Sequence, residues 1–154
     1  MNLIPYVVSV VVAEGAGILG SVFTAKNVSD WYATIAKPSW TPPSWLFGPV
    51  WTTLFALMGI ASALVWEKRG LPGATLALSA YAVQLALNVL WSALFFGLKR
   101  PDLAFIEILF LLVAIVVTTI LFWRIDPRAG MLLLPYIAWV SFASVLNLAV
   151  SRLS

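Results

Sequence analysis

Five long apolar runs alternate with short polar segments along the chain. They cover about residues 3–25, 45–66, 73–98, 103–123 and 130–150, and the only charged residues within them are Glu14 and Glu107. A helix needs about 20 apolar residues to cross the hydrocarbon core of a bilayer. The pattern therefore predicts an all-α membrane protein, in which residues 1–154 form one five-transmembrane-helix bundle.

The polar connections between the runs differ in length. Residues 67–72, 99–102 and 124–128 are short and charged, and short connections place successive helices side by side and antiparallel. The first connection, about residues 26–44, is long and rich in tryptophan and proline. Proline restricts the backbone, and long loops in compact proteins commonly carry function. We expect this connection to form a stiffened lid or binding loop.

The composition excludes several other classes of protein. Hydrophobic residues make up 62% of the chain and charged residues 10%, whereas soluble domains are about 25% charged. A nucleic-acid binder and an ordinary soluble enzyme are therefore excluded, and membrane lipid is the expected surrounding medium. The chain has no histidine and no cysteine, which removes the usual metal ligands and the bases of common catalytic triads. We expect no catalytic residue, no metal site and no cofactor.

Polar and aromatic residues share one face of the third run. Gln84, Asn88, Trp91, Ser92 and Phe95 are three or four positions apart, which places them along one side of a helix. A buried amide in hydrocarbon needs a hydrogen-bond partner, either on another helix or on a ligand in a cavity. For Asn88 both interpretations stay open.

Two further stripes at helical spacing lie on the second and fifth runs. Each stripe alone is more typical of helix packing than of a pocket. Together, their indole rings, small residues and amides predict a site for a flat, mainly apolar ligand. The stripes are Trp51, Phe55 and Met58 on the second run, and Trp139, Ala143, Leu146 and Asn147 on the fifth.

The two carboxylates within the runs are candidates for function, because charged groups inside a membrane are costly. Glu107 is close enough to Asp102 to reach the membrane interface. Glu14 lies about halfway along its run, where it would be protonated, paired or facing a cavity. A proton relay is not favoured, because no histidine or basic residue lies within the runs.

Small residues recur every four positions in the first run, at Ala13, Gly17 and Ser21. This spacing lets two helices approach closely. We expect the small residues to pack within the bundle, with a dimer face as the alternative.

Three tryptophan-rich segments carry a resemblance to a known family. Residues 37–61 read KPSWTPPSWLFGPVWTTLFALMGIA, residues 84–104 read QLALNVLWSALFFGLKRPDLA, and residues 135–150 read PYIAWVSFASVLNLAV. Together with the Trp31-Tyr32 pair, they resemble the tryptophan-rich sensory protein family, the TspO/MBR family, which includes mitochondrial members. The resemblance implies five transmembrane helices, a homodimer, and a cavity that opens toward the first connection and binds porphyrin or haem-type ligands.

The resemblance also implies roles for individual residues. Trp51 and Asn88 would be polar contacts to the ligand, and Tyr32 and Pro42 would belong to the lid. Trp139, Ala143 and Leu146 would form the wall on the fifth helix, and Trp91 the opposite wall. With the stripe residue Phe55, the expected ligand-binding set is Tyr32, Pro42, Trp51, Phe55, Asn88, Trp91, Trp139, Ala143 and Leu146.

One departure from the family concerns sterol binding. Mitochondrial members bind cholesterol and follow the final Leu-Asn pair with a tyrosine in a proposed cholesterol motif. Here Leu148 follows Asn147. Sterol is therefore expected to bind weakly.

The leading functional hypothesis is an integral membrane receptor or carrier for porphyrins, in a bacterial inner membrane. Two alternatives stay open. One is an enzyme-like role in which bound porphyrin is oxidised in light, and the other is a membrane regulatory or assembly partner.

Overall fold

Helices form almost the whole of this computed structural model, which describes residues 2–153. Within the described residues there is no β-strand, which confirms the all-α prediction. Two π-helical turns extend α1 and α3 at their carboxyl ends, at Val28–Tyr32 and Ala93–Gly97. The α-helices are α1 (Ile4–Asn27), α2 (Ser44–Glu67), α3 (Ala74–Ser92), α4 (Pro101–Ile125), α5 (Pro127–Leu132) and α6 (Leu134–Leu153).

Five helical stretches are long and apolar enough to cross a membrane, as the apolar runs predict. The fifth stretch begins earlier than expected, at Pro127 rather than about residue 130, because the short α5 precedes α6. Much of the α1 surface is exposed, so this helix lies at the lipid-facing edge of the bundle. The five spans are Ile4–Thr24, Ser44–Glu67, Ala74–Gly97, Pro101–Ile125 and Pro127–Leu153.

The helices close into a ring. α1 packs against α2 and α3, α3 against α4, and α4 against α6, while α5 joins α2 and α4. α2 and α6 meet through aromatic side chains, with the Trp51 and Tyr136 ring centroids 6.3 Å apart. An interior cavity lies in the half of the bundle near the first connection.

The first connection is shorter than the sequence predicts. Helical backbone continues to Thr34, and only residues 35–43 are irregular. The cause is aromatic packing: Trp31 lies 5.6 Å from Phe95 and Tyr32 lies 5.6 Å from Phe96, measured between ring centroids. These contacts favour further helical turns where the tryptophan and proline content indicates a loop.

Lys37 closes the carboxyl end of that extension. Its Nζ donates hydrogen bonds to the carbonyl oxygens of Tyr32 at 2.6 Å and Ile35 at 3.1 Å. The same Nζ lies 4.8 Å from the centroid of the Tyr32 ring. A lysine at this position satisfies carbonyl groups that a helix end leaves without partners.

Close packing of α1 on α2 depends on glycine. A methyl group on Gly59 would lie 2.5 Å from the backbone Cα of Val10, and one on Gly17 would lie 2.7 Å from the Phe55 ring. Ala13 is fully buried on the same side of α1. The small residues Ala13 and Gly17 therefore pack within the bundle, and a dimer face stays a prediction.

The expectation that Glu107 reaches the interface is wrong. Its side chain is 7% exposed, and neither carboxyl oxygen has a hydrogen-bond partner within residues 2–153. Glu107 shares the inward face of α4 with the buried residues Ala104, Ile108 and Leu111. The spacing from Asp102 predicts how far along α4 Glu107 lies, but it does not predict that the side chain points into the bundle.

A buried carboxylate, Asp126, pairs with two cations whose side chains are 42% and 67% exposed, and joins the ends of three helices at the opposite face of the bundle. The Asp126 side chain is 2% exposed, and its Oδ2 lies 2.8 Å from Arg128 Nη2 and 3.2 Å from Lys68 Nζ. Asp126 also caps α5 by accepting a hydrogen bond from the Arg128 backbone N–H. Hydrogen bonds from Arg128 and then from Lys68 hold the pKa of Asp126 well below its usual range.

We expect Asp126 to make stability depend on pH in acid. A carboxylate whose folded pKa is lowered contributes stability above its unfolded pKa of about 3.9, and this stability is lost as the pH falls through the folded pKa. Asp126→Asn should lower the melting temperature at pH 7. Below about pH 4, the melting temperature of this variant should fall less steeply with pH than that of the wild type. Asp102→Asn is the control, because the Arg100–Asp102 pair is exposed and exposed pairs contribute about 0–1 kcal/mol. Equal pH profiles for wild type and Asp126→Asn would contradict this role.

Candidate ligand-binding site

A cavity of about 240 Å³ lies between α1, α2, α3 and α6, and the π-helical turns that follow α1 and α3 complete its walls. Among the described residues that line it, none comes from α4. The described residues that line it include eight of the nine expected from the sequence: Tyr32, Trp51, Phe55, Asn88, Trp91, Trp139, Ala143 and Leu146.

Pro42 is the expected residue that does not line the cavity. It lies in the irregular segment just before α2 begins, with a partly exposed ring. The helical extension through Thr34 carries Tyr32 into the cavity wall and leaves Pro42 outside.

Aromatic rings form most of the wall and hold one another in place. Trp91 stacks on Phe95 with ring centroids 5.0 Å apart and an interplanar angle of 23°. Trp51 packs on Phe55 at 5.6 Å, and Trp139 meets Phe47 edge-on at 6.0 Å. Paired aromatic rings add about 0.5–1.5 kcal/mol each beyond burial, so these walls are preformed.

Hydrogen bonds fix the orientation of Trp91. Its Nε1 donates to Asn147 Oδ1 at 2.9 Å, and Asn147 Nδ2 donates to the Pro101 carbonyl oxygen at 2.8 Å. This chain joins α3, α6 and the start of α4. Both Trp91 and Asn147 line the cavity, and their polar side-chain atoms already have hydrogen-bond partners within the protein.

Trp139 differs from Trp91 in this respect. Its Nε1 is buried and has no hydrogen-bond partner among the described side chains and backbone. Leaving such a donor unpaired costs about 1–3 kcal/mol. Trp139 lines the cavity, but its Nε1 has less than 1 Å² of accessible area, so the ring and not the N–H group faces the cavity.

Asn88 takes part in a buried network between helices. Its Nδ2 donates to Tyr136 Oη at 2.7 Å, and Tyr136 Oη donates to Gln84 Oε1 at 2.6 Å. Gln84 Nε2 in turn points at Met58 Sδ, 3.8 Å away. Asn88 therefore links α3 to α6, which is one of the two interpretations open for it. Asn88 also lines the cavity, and its contact with a ligand stays a prediction.

Tyr32 supplies a neutral hydroxyl at the end of the cavity nearest the first connection. The residue is 3% exposed, and burial raises the pKa of its phenol to about 12. The side chain is therefore protonated at physiological pH and presents an O–H group rather than a charge.

The contribution of α1 is missing from the sequence-based site. Glu14, Gly17, Ser21 and Thr24 all line the cavity. Glu14 therefore faces a cavity, which is one of the three states expected for it. The regular spacing of small residues is the signal that could have indicated this wall, because glycine and serine leave room beside a helix as well as allowing close packing.

Comparison with known proteins gives consistent matches over nearly the whole chain. Residues 7–153 match the model of the TspO/MBR family. The Tryptophan-rich protein TspO of Archaeoglobus fulgidus is 42% identical over 154 residues, covering 100% of this chain and 99% of that protein. The Chlorobaculum tepidum protein of the same name is 45% identical over 142 residues, covering 90% and 88%. The human Translocator protein is 41% identical over 136 residues, covering 87% and 80%.

Proposed function

Since this chain belongs to the TspO/MBR family and is a multi-pass integral membrane protein, we propose that it is a receptor or carrier that binds a porphyrin in the tryptophan-lined cavity. The observation that carries this proposal is the cavity wall, in which the indole rings of Trp51, Trp91 and Trp139 surround one space. A porphyrin offers a flat apolar ring for the walls and carboxylate groups that can stay at an open rim.

The size and rim of the cavity support a ligand that extends beyond it. The volume of about 240 Å³ is just below the range of about 300–1,000 Å³ typical of small-molecule sites. Ser21, Gly48 and Thr52 line the cavity and are exposed. The rim on α1 and α2 is therefore open, and the propionate side of a porphyrin would lie there, near the first connection.

The polar groups of the cavity favour a metal-free porphyrin over haem. The sequence has no histidine or cysteine, and no methionine is among the lining residues of the described chain. Haem would therefore lack histidine, cysteine and methionine as axial ligands, and burial keeps the Tyr32 phenol protonated by raising its pKa to about 12. The Glu14 carboxyl group lines the cavity and could accept hydrogen bonds from the pyrrole N–H groups that only the metal-free ring carries.

We expect protoporphyrin to quench the tryptophan emission of the purified protein with at least micromolar affinity, because three indoles line one cavity. Haem should bind more weakly, and cholesterol most weakly. The measurement is a fluorescence titration with the three ligands side by side. A soluble indole compound controls for absorption of light by the porphyrin. Equal quenching of the protein and the soluble indole, or tighter binding of haem, would contradict the proposal.

Oxidation of the bound porphyrin by dissolved dioxygen in light is the second candidate, favoured by the position of Trp51, Trp91 and Trp139 around the same space. Illumination of the protoporphyrin complex would yield a new absorbing product that free protoporphyrin does not form under the same light. An unchanged absorption spectrum would contradict the oxidation candidate and leave the receptor or carrier role as the proposed function. A role as an assembly partner is favoured only if no porphyrin binds.

A further inference from the structure

The tryptophan-lined cavity has one exposed side. Of the described residues that line it, four are exposed and the others are buried or partly buried. Ile18 and Ser21 are three positions apart on α1, and Gly48 and Thr52 are four positions apart on α2. Each pair therefore lies on one face of its helix. Because α1 packs against α2, the exposed side of the cavity is a gap between these two helices.

The gap lies on one side of the closest contact between α1 and α2. A methyl group on Gly59 would lie 2.5 Å from the Val10 backbone, and one on Gly17 would lie 2.7 Å from the Phe55 ring. A methyl group on Gly48 would meet no atom within 4 Å. The two helices therefore touch at Gly59 and leave space between them nearer the first connection.

The end of the cavity nearest the first connection is covered by aromatic side chains. Tyr32 is 3% exposed, and its ring lies 5.6 Å from Phe96 and 6.3 Å from Phe47. Trp40 of the irregular segment packs edge-on against Phe142, with ring centroids 5.8 Å apart. The resemblance implies an opening at this end, but the described residues close it.

The gap between α1 and α2 lies at the depth of the lipid. Ser21 is three residues inside the span that ends at Thr24, and Thr52 is eight residues inside the span that begins at Ser44. At 1.5 Å per residue, these depths are about 4.5 Å and about 12 Å. The hydrocarbon core is about 30 Å thick. The gap therefore extends from the headgroup level into the hydrocarbon and opens to lipid.

We infer that the ligand of the tryptophan-lined cavity enters and leaves from the bilayer, through the gap between α1 and α2, and does not enter from water at the first connection. This inference rests on the proposed function and adds the source of the ligand. The apolar ring passes between Ile18 and Thr52, while its carboxylate groups stay near the headgroups, at the level of Ser21 and Gly48. The ligand is therefore a molecule that dissolves in the membrane before it binds.

The test compares protoporphyrin binding rates in two double variants of the full chain in phosphatidylcholine vesicles. Ser21→Phe with Thr52→Phe places a ring on each side of the gap. Val22→Phe with Thr53→Phe is the matched control, because it adds the same rings at neighbouring exposed positions that do not line the cavity. Association is followed by quenching of tryptophan emission, and dissociation by dilution into protein-free vesicles.

We expect the first double variant to slow association and dissociation by about tenfold each, because the added rings must be displaced from the path of the ligand. The control should keep both wild-type rates. A ring that only contacts the bound ligand changes dissociation and leaves association as it was. Slower exchange in both directions therefore identifies a blocked route.

Trp40→Ala tests the other route, because it uncovers the end of the cavity at the first connection. It should keep the wild-type association rate, and faster association would overturn the inference. A wild-type association rate in the first double variant would also overturn it. If that variant does not fold, Thr52→Phe and Thr53→Phe repeat the comparison as single variants. These outcomes leave the proposed function intact, whereas a wild-type protein that binds no protoporphyrin at equilibrium overturns both.

Discussion

Gly59→Ala is expected to destabilise the protein by about 2–3 kcal/mol, the upper part of the range for overpacked cores. Elsewhere in a helix this substitution stabilises by about 0.5–1 kcal/mol. At Gly59 the added methyl would lie 2.5 Å from Val10 Cα and 2.8 Å from its backbone nitrogen. These are backbone atoms, so α1 and α2 must move apart to admit the methyl group.

Gly15→Ala is the control for this prediction. Gly15 lies within α1, and a methyl group there meets no atom within 4 Å. The melting temperature in detergent should fall for Gly59→Ala and stay unchanged or rise for Gly15→Ala. Similar melting temperatures for Gly59→Ala and the wild type would mean that the α1–α2 contact is not as close as described.

Tyr136→Phe is expected to be the other strongly destabilising substitution, at about 1–3 kcal/mol. The Tyr136 hydroxyl is fully buried and is the centre of a chain in which Asn88 donates to it and it donates to Gln84. Removing it leaves one amide donor and one amide acceptor without partners in an apolar interior. Tyr81→Phe is the control, because the Tyr81 hydroxyl has no partner among the described residues.

Asn88→Leu separates the two roles of Asn88 in the same assay. If the bond to Tyr136 contributes to folding, Asn88→Leu and Tyr136→Phe should each lower the melting temperature, and the double variant should lose less than the sum, because both changes break one network. An unchanged melting temperature for Asn88→Leu without ligand would assign Asn88 to ligand contact alone.

Much of the fold follows from the sequence because a bilayer constrains the chain so strongly. Every backbone polar group in hydrocarbon must be paired within the segment, so an apolar run of sufficient length becomes a helix. Helical spacing then places Trp51 with Phe55 and Trp139 with Ala143 on shared faces. This is why the five spans and most of the cavity wall could be predicted.

The remaining features depend on contacts between residues far apart in the sequence. The helical extension of α1 is stabilised by Phe95 and Phe96, which are more than sixty positions from Trp31. Asn88 finds its partner 48 positions away, at Tyr136. The direction of Glu107 depends on how α4 is rotated in the bundle. Local periodicity carries no information on these pairings.

The tryptophan-lined cavity can be tested as the porphyrin site by comparing two double variants. Trp51→Phe with Trp139→Phe alters the cavity wall, whereas Trp45→Phe with Trp123→Phe removes two indoles that are 72% and 41% exposed and do not line the cavity. Protoporphyrin affinity is measured by its visible absorption, which does not depend on tryptophan emission. We predict about fivefold to hundredfold weaker binding for the first variant, from lost indole stacking and hydrogen bonding, and wild-type binding for the second. Equal affinities in two folded double variants would contradict binding in this cavity.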